Sequence, residues 1–253
     1  MTTVRLTDDQ WTKIRAFLHH DPHAYIGRDA ASCRRFVEAV LWIDRSGAQW
    51  RFLPAEYGAW NTVYKRFARW CDQGVWARML DHFANDPDME HGILDSTIVR
   101  AHPCAAGAEK NGSAAEQALG RSRGGFSTKI HIVVDGLGNP LRIRLTPGQT
   151  HDSTQAAALL DGLQFERVIA DRGYAGRKVV ELVEASGAEV VIPPHQCAKQ
   201  PRAYDQWWYR ERHLVECFIS KIKQFRRVFS RFDKLAHRYL GFVQFTSVLV
   251  WLR

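Results

Sequence analysis

The sequence lacks long hydrophobic runs and any cysteine pattern typical of a disulfide or zinc protein. No apolar stretch approaches the roughly 18 residues of a membrane-spanning helix, and no charged-then-apolar leader opens the chain. Its five cysteines are an odd number without a Cys-x-x-Cys pair, and its eleven histidines show no metal-ligand spacing. We therefore expect a soluble, untargeted cytoplasmic protein with reduced thiols, no zinc site and no membrane partner.

Negative charge is scarce relative to positive charge. The chain has 27 acidic and 35 basic side chains, a net charge of +8, and residues 200–253 alone carry +7. A basic surface attracts polyanions because their binding releases counterions. On charge alone, a nucleic-acid-binding protein and a merely soluble basic protein are both compatible. The 253 residues, 45% of them hydrophobic, suffice for one large domain or two smaller ones.

The first third of the chain has the pattern of a helical domain. The stretch LTDDQWTKIRAFL begins with Thr7 as N-cap and Gln10 three residues later, which is a capping box. AASCRRFVEAVLWIDRSG predicts a second helix. NTVYKRFARWCDQG predicts a third, with Asn61 as N-cap and Gly74 just past its end. We place a helical domain at residues 1–87.

The third of these helices suggests a DNA-binding face. Val63, Phe67 and Trp70 recur at helical spacing and are predicted to face inward. The basic side chains between them are predicted to point outward and to bind DNA: Lys65, Arg66 and Arg69. A helix, a connector and a basic helix are typical of a helix-turn-helix-like reader. The connector is longer than the usual turn, so a plain helical bundle is equally compatible with the pattern.

From about residue 90 the pattern changes to alternating strands and helices. GILDSTIVRAH predicts a strand, STKIHIVVDGLGNPLRIRLTPG a hairpin, and FERVIADRGYAG a strand that ends on Asp171. Helical stretches and the strand AEVVIPP follow. This order predicts an α/β fold, a mixed sheet flanked by helices over residues 88–253. The polar, Gly/Ala-rich segment at about 103–127 is predicted to be a mobile loop.

The segment YRERHLVECFISKIKQFRR predicts an amphipathic helix with one acid on a basic face. At about 100° per residue, Glu216 shares a face with Tyr209, Arg212 and Lys223, while Glu211 points away. Ser220 and Arg227 are predicted to lie alongside this face. The opposite side collects the apolar residues, Leu214, Val215, Phe218, Ile222, Phe225 and Phe229. Taken alone, the pattern also fits a solvated helix with an ordinary Glu–Arg pair.

Two aspartates complete a candidate site. Asp95 interrupts an apolar strand, and Asp171 stands where a buried run ends, the position at which α/β folds place functional groups. Each alone could be an edge-strand charge or a turn residue. Three carboxylates converging with Glu216 would need hard cations, and two Mg²⁺ ions can drive an in-line phosphodiester displacement. Asp152, which follows His151 and begins a helix, is interpreted as an N-cap with at most a supporting function at the site.

Several segments resemble the DDE transposases of bacterial insertion sequences, in particular the branch conventionally numbered five. They are LDSTIVRAH, GRSRGGFSTKIH, DGLGNPLRIRLTPGQTHDS, ADRGYAG and the Y-x2-R-x3-E-x6-K spacing of Tyr209, Arg212, Glu216 and Lys223. The N-terminal LTDDQW and WNTVYKRFARW are similar to that branch too. The resemblance therefore covers nearly the whole chain, and the spacing of these four residues together with two placed aspartates is its specific part.

The resemblance implies an RNase H-like catalytic fold with a metal-binding triad at Asp95, Asp171 and Glu216. It implies binding to the ends of an insertion sequence, then DNA cleavage and strand transfer with two Mg²⁺ ions, for which Mn²⁺ can substitute. The expected partners are double-stranded DNA, at element ends and targets, and further copies of the chain in a homodimer or larger synaptic assembly. Such a protein would act at the bacterial nucleoid.

Other basic residues are candidates for holding the DNA backbone. Tyr209, Arg212 and Lys223 surround the expected site, and Arg121, Arg123 and Lys129 flank a pair of glycines in a segment that could wrap a phosphate backbone or lie in solvent. Two other functions are compatible with the same motifs. One is a metal-dependent nuclease of the same fold that cuts without strand transfer. The other is an inactive, domesticated DNA-binding relative, which the presence of all three acids disfavours.

Overall fold

A mixed β-sheet forms the centre of the protein. The computed structural model describes residues 4–24, 30–107, 113–114, 116–122, 124–198 and 200–253. Within these, the strands are β1 His91–Ala101, β2 Gly120–Ser122, β3 Gly125–Val134, β4 Pro140–Pro147, β5 Arg167–Ala170, β6 Glu189–Val191 and β7 Ser230–Arg231. Their order is β2-β3-β1-β5-β6, with β4 paired to β3 and β7 to β1. Strand β1 is antiparallel to β3 and parallel to β5, which confirms the mixed sheet.

Helices precede the sheet, alternate with its later strands and close the chain. They are α1 Asp8–His20, α2 Ala30–Ser46, α3 Trp60–Asp72, α4 Val75–Phe83, α5 Ala156–Leu160, α6 Arg177–Ala185, α7 Gln206–Tyr209, α8 His213–Lys223, α9 Arg226–Phe229 and α10 Ala236–Trp251. The predicted capping box of α1 is present. The N-cap of α3 is Ala59 rather than the predicted Asn61. In the described part of the chain, no helix is both long and apolar enough to cross a membrane.

Strand β1 separates two apolar clusters because its side chains alternate between the two faces of the sheet. Ile93 and Val99 belong to the larger cluster, which also contains the buried residues of α8 and α10. Leu94 belongs to the smaller cluster, with Val179 and Val183 of α6. Both faces of the sheet are therefore covered by helices, and the middle of β1 lies between two apolar clusters.

The N-terminal helices share their core with the last helix. Phe67 of α3 stacks on Phe242 of α10 with ring centroids 4.4 Å apart, and Trp76 of α4 lies 5.0 Å from Phe245. Helix α10 approaches so closely that a Cβ atom added at Gly241 would lie 2.6 Å from the Cys71 sulfur. The predicted boundary between residues 1–87 and 88–253 therefore crosses a continuous apolar core.

The predicted single helix from Tyr209 to Arg227 is interrupted. A 3₁₀ turn at Arg210–Arg212 precedes α8, and Phe225 adopts an extended conformation (φ −84°, ψ 116°) that separates α8 from α9. Two predictions at its end are wrong for this reason. Phe229 is 60% exposed instead of buried, and Arg227 is buried and paired with Asp233 at 2.9 Å instead of lying on the basic face.

The predicted loop at about 103–127 contains regular structure at both ends. A 3₁₀ turn spans Pro103–Ala105, and β2 pairs with the start of β3, where Arg121 lies opposite Phe126. The backbone hydrogen bonds of β2 therefore order a segment whose composition alone indicates a loop. Residues 108–112, 115 and 123 lie outside the described residues.

Candidate active site

Two neighbouring parallel strands bring Asp95 and Asp171 together. In the β1–β5 pairing Leu94 lies opposite Ala170, so the next residue along each chain is one of the two aspartates. Neighbouring strands lie about 4.8 Å apart, and strand alternation directs both carboxylates away from the cluster that contains Leu94 and Ala170. Asp171 begins a 3₁₀ turn, and its Oδ1 accepts a hydrogen bond from the Gly173 amide at 2.9 Å.

Helix α8 carries Glu216 to the same face of the sheet. Val215, Phe218 and Ile222 are fully buried in the larger apolar cluster, which anchors the helix over β1. Glu216 belongs to the opposite stripe of the helix, and its side chain is 52% exposed. The amphipathic pattern of α8 therefore decides which of its side chains reach the sheet's polar edge.

Arg212 connects the helix to the strand. Its guanidinium donates to Asp95 Oδ2 at 3.0 Å and also to Glu216 Oε1. Burial disfavours the charged form of Arg212, but the carboxylates of Asp95 and Glu216 more than offset it and raise the pKa of Arg212 above its ordinary value. One planar cation thus holds two of the three predicted catalytic acids.

Asp95 is the most perturbed acid of the site. Its side chain is only 16% exposed, and burial raises its pKa to about 6. The negative charges of Asp171 and Glu216 raise the pKa further, while the Ser96 amide, which donates to Asp95 Oδ1 at 2.7 Å, and the Arg212 guanidinium oppose the shift. This combination of burial and neighbouring like charges is common at functional sites.

The oxygen atoms of the three acids are suitable ligands for a divalent cation, but in this structure the three side chains are not arranged around one shared position. Carboxylate oxygens suit hard ions such as Mg²⁺ and Mn²⁺. Among the described residues, however, no three His, Cys, Asp or Glu side chains lie close enough together to hold one ion. Arg212 takes the place between Asp95 and Glu216 in this structure. Shared coordination would therefore require Arg212 to turn away.

Comparisons with known proteins agree with this geometry. The family described as "Transposase DDE domain" matches residues 86–246, most of the chain and all three acids. The chain belongs to this family of DDE transposases. A second family, described as "Putative transposase of IS4/5 family", matches residues 6–80. The resemblance found in the motifs is thus confirmed, and the protein is a DNA transposase.

Individual relatives support the same assignment. The transposase is 37% identical over 132 residues to the "Putative transposase for insertion sequence element IS6501" of Brucella ovis, covering 51% of this chain and 100% of that protein. It is 31% identical over 135 residues to the "Putative transposase for insertion sequence element IS402" of Burkholderia cepacia, covering 49% and 62%. Among solved structures, a piggyBac transposase synaptic complex with hairpin DNA matches with a TM-score of 0.53 at 9% identity, covering 99% and 72%. This likeness confirms the RNase H-like fold.

The helical motif contains two other predicted site residues, Tyr209 and Lys223. Tyr209 is partly buried and packs edge-on against Tyr204, with ring centroids 5.6 Å apart. Lys223 lies two helical turns beyond Glu216, roughly 10 Å along the axis, and burial lowers its pKa below the ordinary lysine value. Within the described residues Lys223 forms no ion pair, so its ammonium is available to an anion.

The basic residues around β2 and β3 divide into three cases. Arg121 is exposed, with its guanidinium 5.7 Å from the Phe126 ring centroid, and stays a candidate for DNA contact. Arg123 lies outside the described residues. The predicted DNA contact of Lys129 is corrected by the structure. Its side chain is only 11% exposed, and its ammonium donates to the Thr150 carbonyl and to Asp152. It is held inside the protein rather than offered to a phosphate.

On α3, Val63, Phe67 and Trp70 are buried, as predicted. Of the three basic residues predicted to point outward, two do so. Lys65 and Arg69 are exposed. Arg66 instead packs over the Phe36 ring at 4.3 Å and donates to the Cys33 sulfur at 3.1 Å. It follows Val63 by three residues and precedes Trp70 by four, so it lies at the edge of the buried stripe.

Asp152 is not the N-cap that the sequence predicted. The N-cap of the turn at Asp152–Gln155 is His151, whose side chain accepts from the Ser153 amide. Asp152 instead accepts hydrogen bonds from Ser96 and Lys129, one residue away from Asp95 along β1. The sequence contained a signal for this pairing. Lys129 lies among the buried residues of β3, where its charge needs an acidic partner.

Proposed function

We propose that this transposase cleaves the ends of an insertion sequence and joins them to target DNA with divalent cations held by Asp95, Asp171 and Glu216. The observation that supports the proposal is the β1–β5 register, which sets Asp95 beside Asp171, together with the Arg212 contacts that tie Asp95 to Glu216. Bound divalent cations would supply Lewis acidity for an in-line phosphodiester displacement. Mg²⁺ is the expected ion, and Mn²⁺ the expected substitute.

The side chains around the triad are suited to hold the DNA backbone. Arg212 already binds two carboxylates, and a phosphate presents the same paired oxygens to its planar fork. When DNA enters, we propose that Arg212 turns from the acids to a phosphate and frees them for the cations. Lys223 adds a second positive charge to this face of α8, and Tyr209 lies close enough to Arg212 to influence its pKa. These residues orient the scissile phosphate; the acids hold the ions.

The N-terminal helices are proposed to recognise the element's ends. Lys65 and Arg69 lie on the exposed side of α3. Beside them, large aromatic side chains are exposed: Phe52, Trp60 and Tyr64. Basic groups position a protein on the phosphate backbone, and exposed aromatic rings can contact bases or sugars. Helical periodicity in the sequence did not single out these rings.

The direct test is cleavage of pre-formed end DNA with Mg²⁺ by Asp95→Asn, Asp171→Asn and Glu216→Gln. Each variant should lose cleavage by several orders of magnitude and keep end binding and thermal stability. Asp161→Asn is the matched control, because Asp161 is an exposed acid at the end of α5. Cleavage retained by any one of the three variants would remove that residue from the site.

The same reaction separates the transposase from a simple nuclease. When a target duplex is added to pre-cleaved ends, strand transfer yields joined products, whereas a nuclease of the same fold yields only hydrolysis. Joined products that appear with Mg²⁺ or Mn²⁺, and that vanish in the three variants, would support the proposal. We further propose assembly of two or more copies on paired ends at the nucleoid, which the mass of the complex on end DNA would test.

A further inference from the structure

A polar network lies beneath Asp95 on the opposite face of β1. Ser96 and His131 are directly paired across β1 and β3, and Lys129 lies two residues before His131 on the same face of β3. The turn that begins at Asp152 covers this face. Asp152 Oδ1 accepts from the Ser96 hydroxyl at 2.7 Å and from the Lys129 ammonium at 2.8 Å. These hydrogen bonds form a polar layer between the sheet and the turn.

The charges of this network are balanced within it. Lys129 also donates to the Thr150 carbonyl at 2.6 Å, which fixes its ammonium against the turn. His131 lies 3.9 Å from Asp152, bonds the Thr146 hydroxyl at 2.7 Å and is fully buried. Burial lowers the pKa of His131 to about 4, so the imidazole is neutral at physiological pH. Lys129 is thus the partner that balances the Asp152 carboxylate.

Ser96 joins this network to the active site. Its hydroxyl, on one face of β1, is held by Asp152, and its backbone amide donates to Asp95 Oδ1 at 2.7 Å on the other face. The orientation of the Ser96 peptide therefore depends on Asp152 and in turn orients the Asp95 carboxylate. Tyr174 is fully buried near both groups, since burial and the negative charges of Asp152, Asp95 and Asp171 all raise the pKa of its hydroxyl.

We propose that Asp152 and Ser96 are positioning residues for Asp95: Asp152 clamps Ser96, and Ser96 holds the Asp95 carboxylate in the orientation that binds the divalent cation. This proposal rests on the proposed catalytic function of Asp95. Partners that orient a metal-binding side chain typically matter by about 10- to 100-fold in metal affinity or activity. Neither residue touches the reacting phosphate, so DNA binding does not depend on them.

The test compares Ser96→Ala and Ser96→Thr in the full-length protein. Ser96→Ala removes the clamped hydroxyl, whereas threonine keeps it and suits a strand. We expect Ser96→Ala to lower cleavage of end DNA by about 10-fold or more and to raise the Mn²⁺ concentration at half-maximal cleavage similarly. Ser96→Thr should recover most of both. Ser230→Ala is the control, since that hydroxyl bonds the far end of β1 at the Arg100 carbonyl.

A second variant separates positioning from stability. Asp152→Ala removes the oxygen that accepts from the Ser96 hydroxyl, but it also leaves the Lys129 charge without its partner, so loss of function could follow from a weakened fold. Combining Asp152→Ala with Lys129→Met removes both charges and should restore the melting temperature. In this double variant, both cleavage and Mn²⁺ binding should stay impaired. Mn²⁺ binding is measured from the electron paramagnetic resonance signal of the free ion. Recovery of both along with stability would reduce Asp152 to a structural partner of Lys129 and overturn the proposal.

The outcomes also distinguish this proposal from the catalytic assignment. If Asp95→Asn abolishes cleavage while Ser96→Ala cleaves within about twofold of wild type at the same Mn²⁺ midpoint, the positioning proposal is wrong and the triad stands. If Asp95→Asn still cleaves, the triad assignment itself fails. Reduced cleavage by Ser96→Ala with an unchanged Mn²⁺ midpoint and unchanged Mn²⁺ binding would also contradict the proposal, because orientation of Asp95 acts through the ion.

Discussion

Arg212 is the residue on which the charge balance of the candidate active site depends. It contacts Asp95 and Glu216 at once, and the negative field of Asp171 reaches it as well. A phosphate or a divalent cation that enters must compete with these contacts. The same guanidinium can therefore stabilise the acids before DNA binds and hold the backbone afterwards.

Glu216 rather than Glu211 should be the catalytic glutamate. Only Glu216 shares Arg212 with Asp95. Glu216→Gln should lose several orders of magnitude in cleavage of pre-formed end DNA with Mg²⁺, because a neutral amide cannot replace a metal-binding carboxylate. Glu211→Gln should stay within a few-fold of wild type, because glutamine keeps the shape of this half-buried side chain and no ion pair joins Glu211 to Arg212 among the described residues. Equal activity of the two variants, or the reverse order, would show that the site is misread.

Arg212→Ala should destabilise the metal-free protein in a pH-dependent way. Asp95 has a pKa raised to about 6, so it is ionised at pH 8 and protonated at pH 5. Its buried charge needs Arg212 only when ionised. The melting temperature in EDTA should therefore drop more at pH 8 than at pH 5. Cleavage should fall between wild type and Glu216→Gln.

Lys223→Ala is the control for this pH dependence. It removes a charge from the same face of α8, but Lys223 pairs with no acid among the described residues. It should lower cleavage by weakening its hold on the DNA and should change stability equally at both pH values. If Arg212→Ala lowers the melting temperature equally at pH 5 and pH 8, the proposed dependence on the ionised Asp95 is contradicted.

At the scale of elements, the contact between α2 and α10 contains a buried acid. Asp44 of α2 is fully buried, and its Oδ2 accepts from the Thr246 hydroxyl of α10 at 2.6 Å. Burial raises the pKa of Asp44 to about 8, although the Thr246 hydrogen bond and the charges of Arg227 and Arg45 oppose the shift. The carboxyl is therefore protonated at neutral pH and joins the two helices as a neutral group.

Asp44→Asn should change how stability depends on pH. The folded protein holds the Asp44 proton up to about pH 8, whereas the ordinary pKa is 3.8. Because the folded state binds more protons between these values, wild-type stability falls as pH rises from about 4 to 8, by at most about 1.4 kcal/mol per pH unit. Asparagine cannot ionise, so the variant should match wild type near pH 4 and exceed it near pH 8.

Denaturant unfolding at several pH values measures this difference. Asp161→Asn serves as the control, because Asp161 is exposed and its removal should leave the pH profile of stability parallel to that of wild type. An Asp44→Asn profile that also stays parallel to wild type would mean that Asp44 is already ionised in the folded protein at neutral pH.

At the scale of the whole molecule, the N-terminal helices and the sheet region depend on one another. Helix α10 lies against α3 and α4 through Phe242 and Phe245, which would be exposed if residues 1–87 were removed. Fully burying such side chains contributes roughly 1.5–3 kcal/mol each. End recognition should therefore be tested with point variants of the full chain rather than with a fragment.

Lys65→Ala combined with Arg69→Ala should weaken binding to the element's ends. Both side chains are exposed, so the melting temperature should not change. If each contacts one phosphate, the slope of log affinity against log salt should fall by about 2. Arg177→Ala with Lys178→Ala is the matched control, because it removes the same charge from an exposed position on α6. Equal weakening by both pairs would indicate general electrostatic attraction rather than a surface for end recognition.

The sequence by itself determined most of the helices and strands and pointed to the acids of the candidate site. Helical and strand periodicities are local, so α1, α3, β1 and the β3–β4 hairpin could be read from windows of the chain. Asp171 could be placed at a strand end for the same reason. The spacing from Tyr209 to Lys223 likewise identified the face of α8 that carries Glu216.

Only the tertiary structure decided which polar groups are buried and which partners they have. Arg66, Lys129 and Arg227 look equivalent to exposed basic residues in sequence, but each is held by groups far along the chain, as is Asp152. The core that α10 shares with α3 and α4 is also long-range. Periodicity specifies the direction of a side chain within its own element, whereas burial and charge pairing depend on the elements that pack against it.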